Sequence, residues 1–338
     1  MDIGSRNLGR KVALSAVLGA LVMAGLGLFA DLTAVGNSFA TFDYSLLLPV
    51  LLWTLFNYAL RWLKWDYYLR KLGFGDGVSV YDSVLLFTSG MVMAVTPGKI
   101  GEVFKSYLLK RVNGTPVSAS APIVLAERLT DGLAMLLLMA SGLNLYPPAR
   151  PLFWLLLAGG TLALAALQYR PLAERLLAAS ERAPLLRRIA PQLRSFYLSS
   201  FALLSWRLLL VSTVLSIVSW FGECLAFWYV LGGFGAPMGS ETLLIATFIF
   251  AASTLFGLVS FLPGGLGVSE ASSTGLLLLL VRGLSEAAAA AATIIIRFCT
   301  LWFGVSLGLL ALLLFERRYT KREDRAAPVP GESAADHV

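Results

Sequence analysis

The chain has 338 residues, of which 57% are hydrophobic and only 14% are charged. In soluble globular domains about a quarter of all residues are charged, so this composition excludes an ordinary soluble protein. Apolar stretches long enough to cross roughly 30 Å of hydrocarbon recur along the chain. The formal net charge is +7, but the basic residues lie in loops between apolar spans, as the positive-inside rule requires. We therefore predict one membrane domain and no nucleic-acid partner.

The apolar pattern predicts six full spans. They lie at residues 12–30, 45–63, 118–143, 152–169, 208–231 and 287–315. The first span is too long for a signal peptide and is expected to be retained. The transmembrane domain then covers residues 1–315, and the polar residues 316–338 are predicted to form a disordered cytoplasmic tail.

Residues 170–207 form an arginine-rich connection that is predicted to be cytoplasmic. Two interpretations stay open for it. It is either an amphipathic helix at the anionic lipid surface or a basic loop that only sets the topology.

Two apolar stretches, 79–96 and 241–281, do not fit as simple crossings. Both flanks of the first are basic and therefore cytoplasmic. The basic residues are Arg61, Lys64, Arg70 and Lys71 before it, and Lys99, Lys105, Lys110 and Arg111 after it. The uncharged connection 232–240 before the second stretch is expected outside. We therefore predict two re-entrant hairpins that enter from opposite faces, with irregular backbone covered by protein or water.

The two predicted hairpins turn at similar sequences. The first reads TPGKIGE from Thr96 to Glu102, and the second reads LPGGLGVSE from Leu262 to Glu270. Both contain P-G-x-[I/L]-G followed by a glutamate. The helix-breaking residues are Pro97, Gly98, Gly101, Pro263, Gly264, Gly265 and Gly267. Proline and glycine interrupt a helix, and the half-helix that restarts presents free N–H groups suited to an anion such as phosphate. The alternative is a packing kink without a ligand.

The order span, span, hairpin, span occurs twice, in halves at about 12–143 and 152–315. The first half begins inside and the second outside, which is the plan of an inverted-topology repeat with its site near the midplane. The predicted fold is an all-α polytopic membrane protein of about six full spans and two re-entrant broken-helix hairpins, or eight helices if all are counted.

Charged residues lie within predicted spans. Glu127, Arg128 and Asp131 share one span, and Arg297 lies in the last. An isolated charge at this depth costs at least about 2.5–3.5 kcal/mol, so these residues need partners or a wet cavity. Arg128 and Arg297 either neutralise Glu102 and Glu270 across the hairpins or clamp a lipid phosphate.

Two further polar residues lie in predicted spans. Glu223 is a further candidate for the charged site, and Asn57 is predicted to form a helix–helix hydrogen bond.

Residue usage argues against several kinds of site. The only histidine is His337, and the two cysteines, Cys224 and Cys299, lie in apolar runs. The acidic residues are interleaved with arginine, which is a poor setting for a divalent metal. We therefore expect no metal, no cofactor, no disulfide framework and no enzymatic activity.

Three blocks of the chain together resemble the flippase-like lysylphosphatidylglycerol synthase transmembrane-domain family. They are TPGKIGEVFKSYLLKR from Thr96 to Arg111, ERLTDGLAMLLL from Glu127 to Leu138, and FLPGGLGVSE from Phe261 to Glu270, followed by Arg297. The resemblance covers about residues 8–315 and is to the membrane domain without an aminoacyl-transfer domain. It implies lipid translocation rather than lipid aminoacylation. The predicted location is a bacterial inner (plasma) membrane, and the loop charges place both termini in the cytoplasm.

The favoured hypothesis is a lipid translocator for a phospholipid or for an isoprenoid- or hopanoid-type lipid. The predicted substrate-binding residues are Lys99, Glu102, Lys105, Glu127, Arg128, Asp131, Glu270 and Arg297. The cations would hold an anionic phosphate head group, and the carboxylates would pair with them or with a cationic head group. The alternatives are a membrane enzyme and a regulatory scaffold, and the possible partners include enzymes of lipid biosynthesis.

Overall fold

A computed structural model describes residues 32–96, 101–183 and 186–326, and these residues form helices and their connections without any strand. The α-helices are α1 (Leu32–Thr41), α2 (Leu47–Lys71), α3 (Val80–Gly90), α4 (Phe104–Asn113), α5 (Val117–Ala140), α6 (Arg150–Gln168), α7 (Arg170–Arg182), α8 (Ala190–Leu203), α9 (Trp206–Gly233), α10 (Ser240–Val259), α11 (Val268–Leu280), α12 (Glu286–Arg297) and α13 (Phe303–Ala326). The predicted span 12–30 lies outside the described residues. Helix α13 continues past the predicted boundary at residue 315, and the rest of the tail also lies outside them.

Within the described ranges, five helical segments are long and apolar enough to cross a membrane. They are Tyr44–Lys71, Pro147–Gln168, Trp206–Gly233, Ser240–Val259 and Glu286–Tyr319. Helix α5 corresponds to the predicted span at 118–143, although Glu127, Arg128 and Asp131 interrupt its apolar sequence. The predicted all-α polytopic membrane protein is confirmed.

The loop-charge argument is wrong at two places. Lys105 lies in α4 and is only 2% exposed, so it is not part of a cytoplasmic flank. Helix α2 runs to Lys71, so Arg61 and Lys64 belong to a helix and not to the loop before the first hairpin. Lys64 is only 1% exposed, because the buried face of α2 continues through Trp65 and Tyr68. Only the basic residues at the helix end still mark that loop.

Residues 80–96 and 101–113 form the two arms of what we call the first hairpin. Its first arm is α3, extended by a 3-10 segment at Met91–Val95, and its second arm is α4. The Gly101 N–H donates to Thr96 Oγ1 across the turn at 2.9 Å. At the open end, Asn113 Nδ2 donates to the carbonyl of Phe74 at 3.0 Å. The chain therefore leaves one region of the protein and returns to it.

Residues 240–280 form the second hairpin, in which α10 and α11 pack against each other. Its turn contains glycines in the left-handed region, with φ of +61° at Gly264 and +68° at Gly265. A Cβ atom on Gly265 would lie 3.0 Å from the Cα of Gly257 and 2.8 Å from Ser269 Oγ. Only glycine lets the two arms approach this closely without strain.

The two hairpins lie at opposite ends of the last long helix, and their turns meet. Arg318 Nε lies 2.9 Å from Asp82 Oδ1, and this ion pair joins the first hairpin to the C-terminal end of that helix. The second hairpin is followed directly by the N-terminal end of the last long helix, at Glu286. A Cβ on Gly264 would lie 3.5 Å from the Cα of Val95. Two hairpins that enter a membrane from opposite faces require this arrangement. Their insertion into a bilayer and the inverted repeat stay predictions.

Two apolar cores lie on either side of a band of charge. On α5, Ile123 and Ala126 belong to one core, whereas Ala134 and Met135 belong to the other. Glu127, Arg128 and Asp131 lie between the two groups. We call this band the charged layer, and its ionisable residues are Arg61, Lys64, Glu102, Lys105, Glu127, Arg128, Asp131, Glu223, Glu270 and Arg297.

Polar contacts also join the long helices outside the charged layer. Asn57 Nδ2 donates to both the carbonyl and the hydroxyl of Ser219, each at 3.0 Å, which joins α2 to α9. The predicted helix–helix role of Asn57 is confirmed.

The arginine-rich connection contains two helices with different surroundings. Helix α8 packs along α5 and buries Ser200 and Leu203, whereas α7 leaves Leu172 and Leu176 exposed. Contact of the arginine-rich connection with a lipid surface stays a prediction.

Replacing Gly265 with alanine should destabilise the second hairpin. The left-handed backbone and the short distance to Gly257 should together lower the free energy of unfolding by about 1–3 kcal/mol. Thermal unfolding in detergent measures this. Gly275→Ala is the matched control, because no atom lies within 4 Å of its new Cβ and alanine favours a helix by about 1 kcal/mol. A Gly265→Ala protein as stable as the control would contradict the close-approach argument.

Cysteine labelling should place both ends of the first hairpin on one membrane face. Asp76→Cys and Lys110→Cys should react with an impermeant maleimide from the same side, because Asn113 contacts Phe74. Met238→Cys should react from the other side, because it follows Gly233 at the opposite end of the long helices. Labelling of Asp76→Cys and Lys110→Cys from different sides would mean that this segment crosses the membrane.

Candidate functional site

Lys105 and Glu127 form the most enclosed ion pair of the first half. Lys105 Nζ lies 2.6 Å from Glu127 Oε2, and both side chains are no more than 3% exposed. The ammonium group also lies 4.6 Å from the ring centroid of Trp65 and 5.2 Å from that of Phe87. Carboxylate and aromatic faces together compensate for burying the lysine charge. The pair joins α4, the second arm of the first hairpin, to α5.

Arg128 connects the turn of the first hairpin to the charges of α5. Its Nη2 lies 3.1 Å from Glu102 Oε2 and 3.1 Å from Asp131 Oδ2. Asp131 also accepts hydrogen bonds from Lys64 Nζ and, at 2.9 Å, from Ser216 Oγ. This carboxylate therefore joins α2, α5 and α9.

Glu270 and Arg297 form the corresponding contact of the second hairpin. Arg297 Nε lies 2.6 Å from Glu270 Oε1, and its Nη2 donates to the carbonyl of Gly264 at 2.8 Å. Glu270 Oε2 accepts the Gly267 N–H at 2.7 Å, at the start of α11. One N–H group at this half-helix end is therefore already bound by the carboxylate of Glu270, and binding of an external anion there stays a prediction.

The two hairpins use the same device. In each, a buried glutamate that follows the Pro-Gly sequence binds an arginine of the next long helix: Glu102 binds Arg128, and Glu270 binds Arg297. The arginine follows its glutamate by nearly the same number of residues in both halves. The sequence left two roles open for these arginines, pairing with the hairpin glutamates or binding a lipid phosphate. In this structure they pair with the glutamates.

A turn of π-helix, Phe298–Trp302, follows Arg297 directly. The wider turn exposes the carbonyl of Thr300, which accepts a hydrogen bond from the Tyr58 hydroxyl. Single π-helical turns within α-helices are frequent at functional sites. Here the turn brings α2 against the last helix beside the charged layer.

Two neighbouring cavities open within the charged layer. The larger has a volume of about 90 Å³, and its charged lining residues are Arg61, Glu102, Lys105, Glu223 and Arg297. The smaller has a volume of about 60 Å³ and contacts Arg128 and Asp131. Both contact Trp220, Thr254, Ser269 and Arg297. Since one water needs only about 10–15 Å³ of such space, the larger cavity has room for several waters or a polar group of phosphate size.

The structure brings most of the predicted site residues together. Those that contribute to the charged layer are Glu102, Lys105, Glu127, Arg128, Asp131, Glu270 and Arg297, and Glu223 lines the larger cavity. Gly101, Pro263, Gly264, Gly265 and Gly267 lie in the two turns. Pro97, Gly98 and Lys99 lie outside the described residues. In the described part of the chain, no cluster of three or more His, Cys, Asp or Glu residues could hold a metal ion.

Sequence reasoning missed two cations of the layer, Arg61 and Lys64. It placed both of them in a loop because charge ended the apolar stretch. The available signal was the apolar periodicity that continues through Trp65, Tyr68 and Leu69, all of which are fully buried. A helix that continues on this face necessarily carries Lys64 inward with it.

Replacing Lys64 with methionine should destabilise the protein strongly. The change removes a cation from Asp131 while leaving the buried carboxylate in place, which costs about 3–5 kcal/mol when a buried pair is broken. Chemical unfolding in detergent measures the loss. Arg70→Met on the same helix is the control, since that 47% exposed side chain forms a surface pair expected to contribute below about 1 kcal/mol. Equal stability of the two variants would contradict the role given to Lys64.

Comparison with known proteins identifies the family. A family model described as the lysylphosphatidylglycerol synthase TM region matches residues 14–308. Two relatives from Methanothermobacter thermautotrophicus are each described as a UPF0104 membrane protein. One is 34% identical over 95 residues, which cover 28% of this chain and 27% of the relative. The other is 27% identical over 132 residues, which cover 38% and 37%.

The matched stretches thus span well under two thirds of these relatives, whereas the family model covers most of this chain. The family relationship and the spanning helices indicate a multi-pass membrane protein with a lipid-related function. This chain belongs to the family of the lysylphosphatidylglycerol synthase transmembrane region.

Proposed function

We propose that the protein is a lipid translocator that moves a phospholipid, or an isoprenoid- or hopanoid-type lipid, between the leaflets of a membrane. The observation that carries the proposal is the larger cavity, which lies in the charged layer beside the meeting point of the two hairpin turns. The head group would cross through this layer while the lipid tails stay in the bilayer.

The physical barrier to lipid translocation is the transfer of a polar head group into hydrocarbon. An ionised group pays a large desolvation cost there unless it finds partners. Arg128 and Arg297 already face carboxylates at 3.1 Å and 2.6 Å, and each is nearly one-fifth exposed. A passing phosphate would compete with Glu102 or Glu270 for these guanidinium groups. A cationic head group would instead pair with the carboxylates.

Passage between the hairpins requires their turns to separate. In the present conformation the two turns are close together, since a Cβ atom on Gly264 would lie 3.5 Å from the Cα of Val95. The arginine pairs join each turn to a long helix, so exchanging a pair for a head group would loosen that turn. Binding and opening would then be linked through the same contacts.

We also propose that the lipid is moved without chemical conversion, so that the protein is not itself an enzyme. A bacterial inner membrane with both termini in the cytoplasm is the proposed location. Lipid-biosynthesis enzymes are proposed as partners that supply or consume the lipid. A membrane enzyme and a regulatory scaffold are the competing functions, and neither requires lipid movement by the purified protein.

Purified protein in liposomes should move a fluorescent phospholipid between leaflets. Dithionite should then bleach more label than in protein-free liposomes, where only the outer leaflet is accessible. Arg297→Gln should slow this transfer roughly tenfold, the effect of losing about 1.4 kcal/mol of stabilisation at the site. Arg194→Gln is the control, because its pair with Glu181 is exposed and far from the layer.

Thermal unfolding of each variant separates loss of transport from loss of the fold. If Arg297→Gln unfolds early, Arg297→Lys retains the charge and should show an intermediate rate. Bleaching by the parent protein no greater than in protein-free liposomes, across phospholipids of different head groups, would contradict the proposal. Equal rates of lipid transfer by folded Arg297→Gln and by the parent protein would show that the charged layer has no role in translocation.

A further inference from the structure

Arg61 differs from the other cations of the charged layer in what it contacts. It lies on α2, three residues after Tyr58, and lines the larger cavity. Its guanidinium carbon lies 5.2 Å from the ring centroid of Trp220. Trp220 is only 5% exposed, so this ring is a fixed wall of the cavity.

The other cations of the layer each have a carboxylate of this protein as partner. Lys64 binds Asp131, Lys105 binds Glu127, Arg128 binds Glu102 and Asp131, and Arg297 binds Glu270. Among the ion pairs formed between described residues, none includes Arg61. Its charge interacts with the aromatic face of Trp220 and, without forming an ion pair, with the more distant carboxylate of Asp131.

A guanidinium group stacked on an aromatic ring keeps its N–H edge free to donate hydrogen bonds. That planar edge matches phosphate oxygens in a two-point contact, which is stronger and more directional than a single bond. We infer that Arg61 is the residue that binds the phosphate group of the translocated lipid. The inference rests on the proposed function and names the chemical class of its substrate.

The cavity has the size and the charge for this ligand. Its volume of about 90 Å³ accommodates a group of phosphate size, and its lining cations Arg61, Lys105 and Arg297 outnumber its lining carboxylates Glu102 and Glu223. Arg128 and Arg297 hold protein carboxylates in this conformation, so a phosphate would bind Arg61 before it competes with Glu102 or Glu270 for those two arginines.

The smaller cavity indicates that the ligand is an amphiphile. It shares Trp220 and Arg297 with the larger cavity and continues to Leu258 and Leu262. These two leucines are 37% and 43% exposed, so the cavity ends at an apolar part of the protein surface. A phosphate at Arg61 therefore has a neighbouring apolar outlet for hydrocarbon chains. This combination fits a lipid phosphate better than a free phosphate ion.

Binding to the purified protein tests the assignment without any transport step. Isothermal titration calorimetry in an uncharged detergent should show tighter binding of dihexanoyl phosphatidylglycerol than of dihexanoylglycerol or inorganic phosphate. Arg61→Gln should weaken binding of the phosphatidylglycerol at least about tenfold, as expected for losing hydrogen bonds to a charged group. Arg61→Lys should weaken it less. Binding of dihexanoylglycerol should not change.

Arg70→Gln is the matched control, because it removes a guanidinium from the same helix at an exposed position. Thermal unfolding should show that Arg61→Gln stays folded, since no ion pair is broken. Unchanged phosphatidylglycerol affinity in folded Arg61→Gln would overturn the inference. Equal affinity of the parent for inorganic phosphate and phosphatidylglycerol would overturn the assignment to a lipid. Binding that depends on Arg61 in a protein that moves no lipid would support the inference and contradict only the proposed translocation.

Discussion

Compensation of buried charge is the constraint on which the rest of this structure depends. The charged layer lies between two apolar cores, where an unpaired charge costs several kcal/mol. The protein meets that cost by making each hairpin supply a glutamate to an arginine of the following helix. Glu102 with Arg128 and Glu270 with Arg297 therefore fix both turns against the long helices and bring them into contact. The cavities are the space left within this network.

The broken helices serve this network directly. The restart of a helix was expected to offer its N–H groups to a ligand, yet Glu270 accepts the Gly267 N–H itself. The helix end thus fixes a carboxylate, and the carboxylate fixes Arg297. A cation outside these pairs is therefore better placed to bind the phosphate group of a lipid. Arg61 fits that role because it lies against an aromatic ring and forms no ion pair with a carboxylate among the described residues.

The sequence predicted the helical class, the two hairpin segments and most of the charged layer because each has a local signal. Apolar length marks spans, Pro-Gly marks breaks, and charge inside an apolar run marks a buried site. It could not predict which residues pair, since Lys64 and Ser216 are 152 residues apart and meet only through packing of α2 against α9. Charge counting also ended the second span too early, because a buried lysine and a loop lysine look alike without their neighbours.

The most direct test of the account is a reversible lock between the two hairpin turns. Val95→Cys with Gly264→Cys, in a protein whose Cys224 and Cys299 are replaced by alanine, joins neighbouring positions, because a Cβ atom at position 264 would lie 3.5 Å from the Cα of Val95. A disulfide there prevents the turns from separating. The account predicts that oxidation stops transfer of fluorescent phospholipid in liposomes and that reduction restores it. Transfer at the same rate in the oxidised and reduced states would show that lipid does not pass between the hairpins.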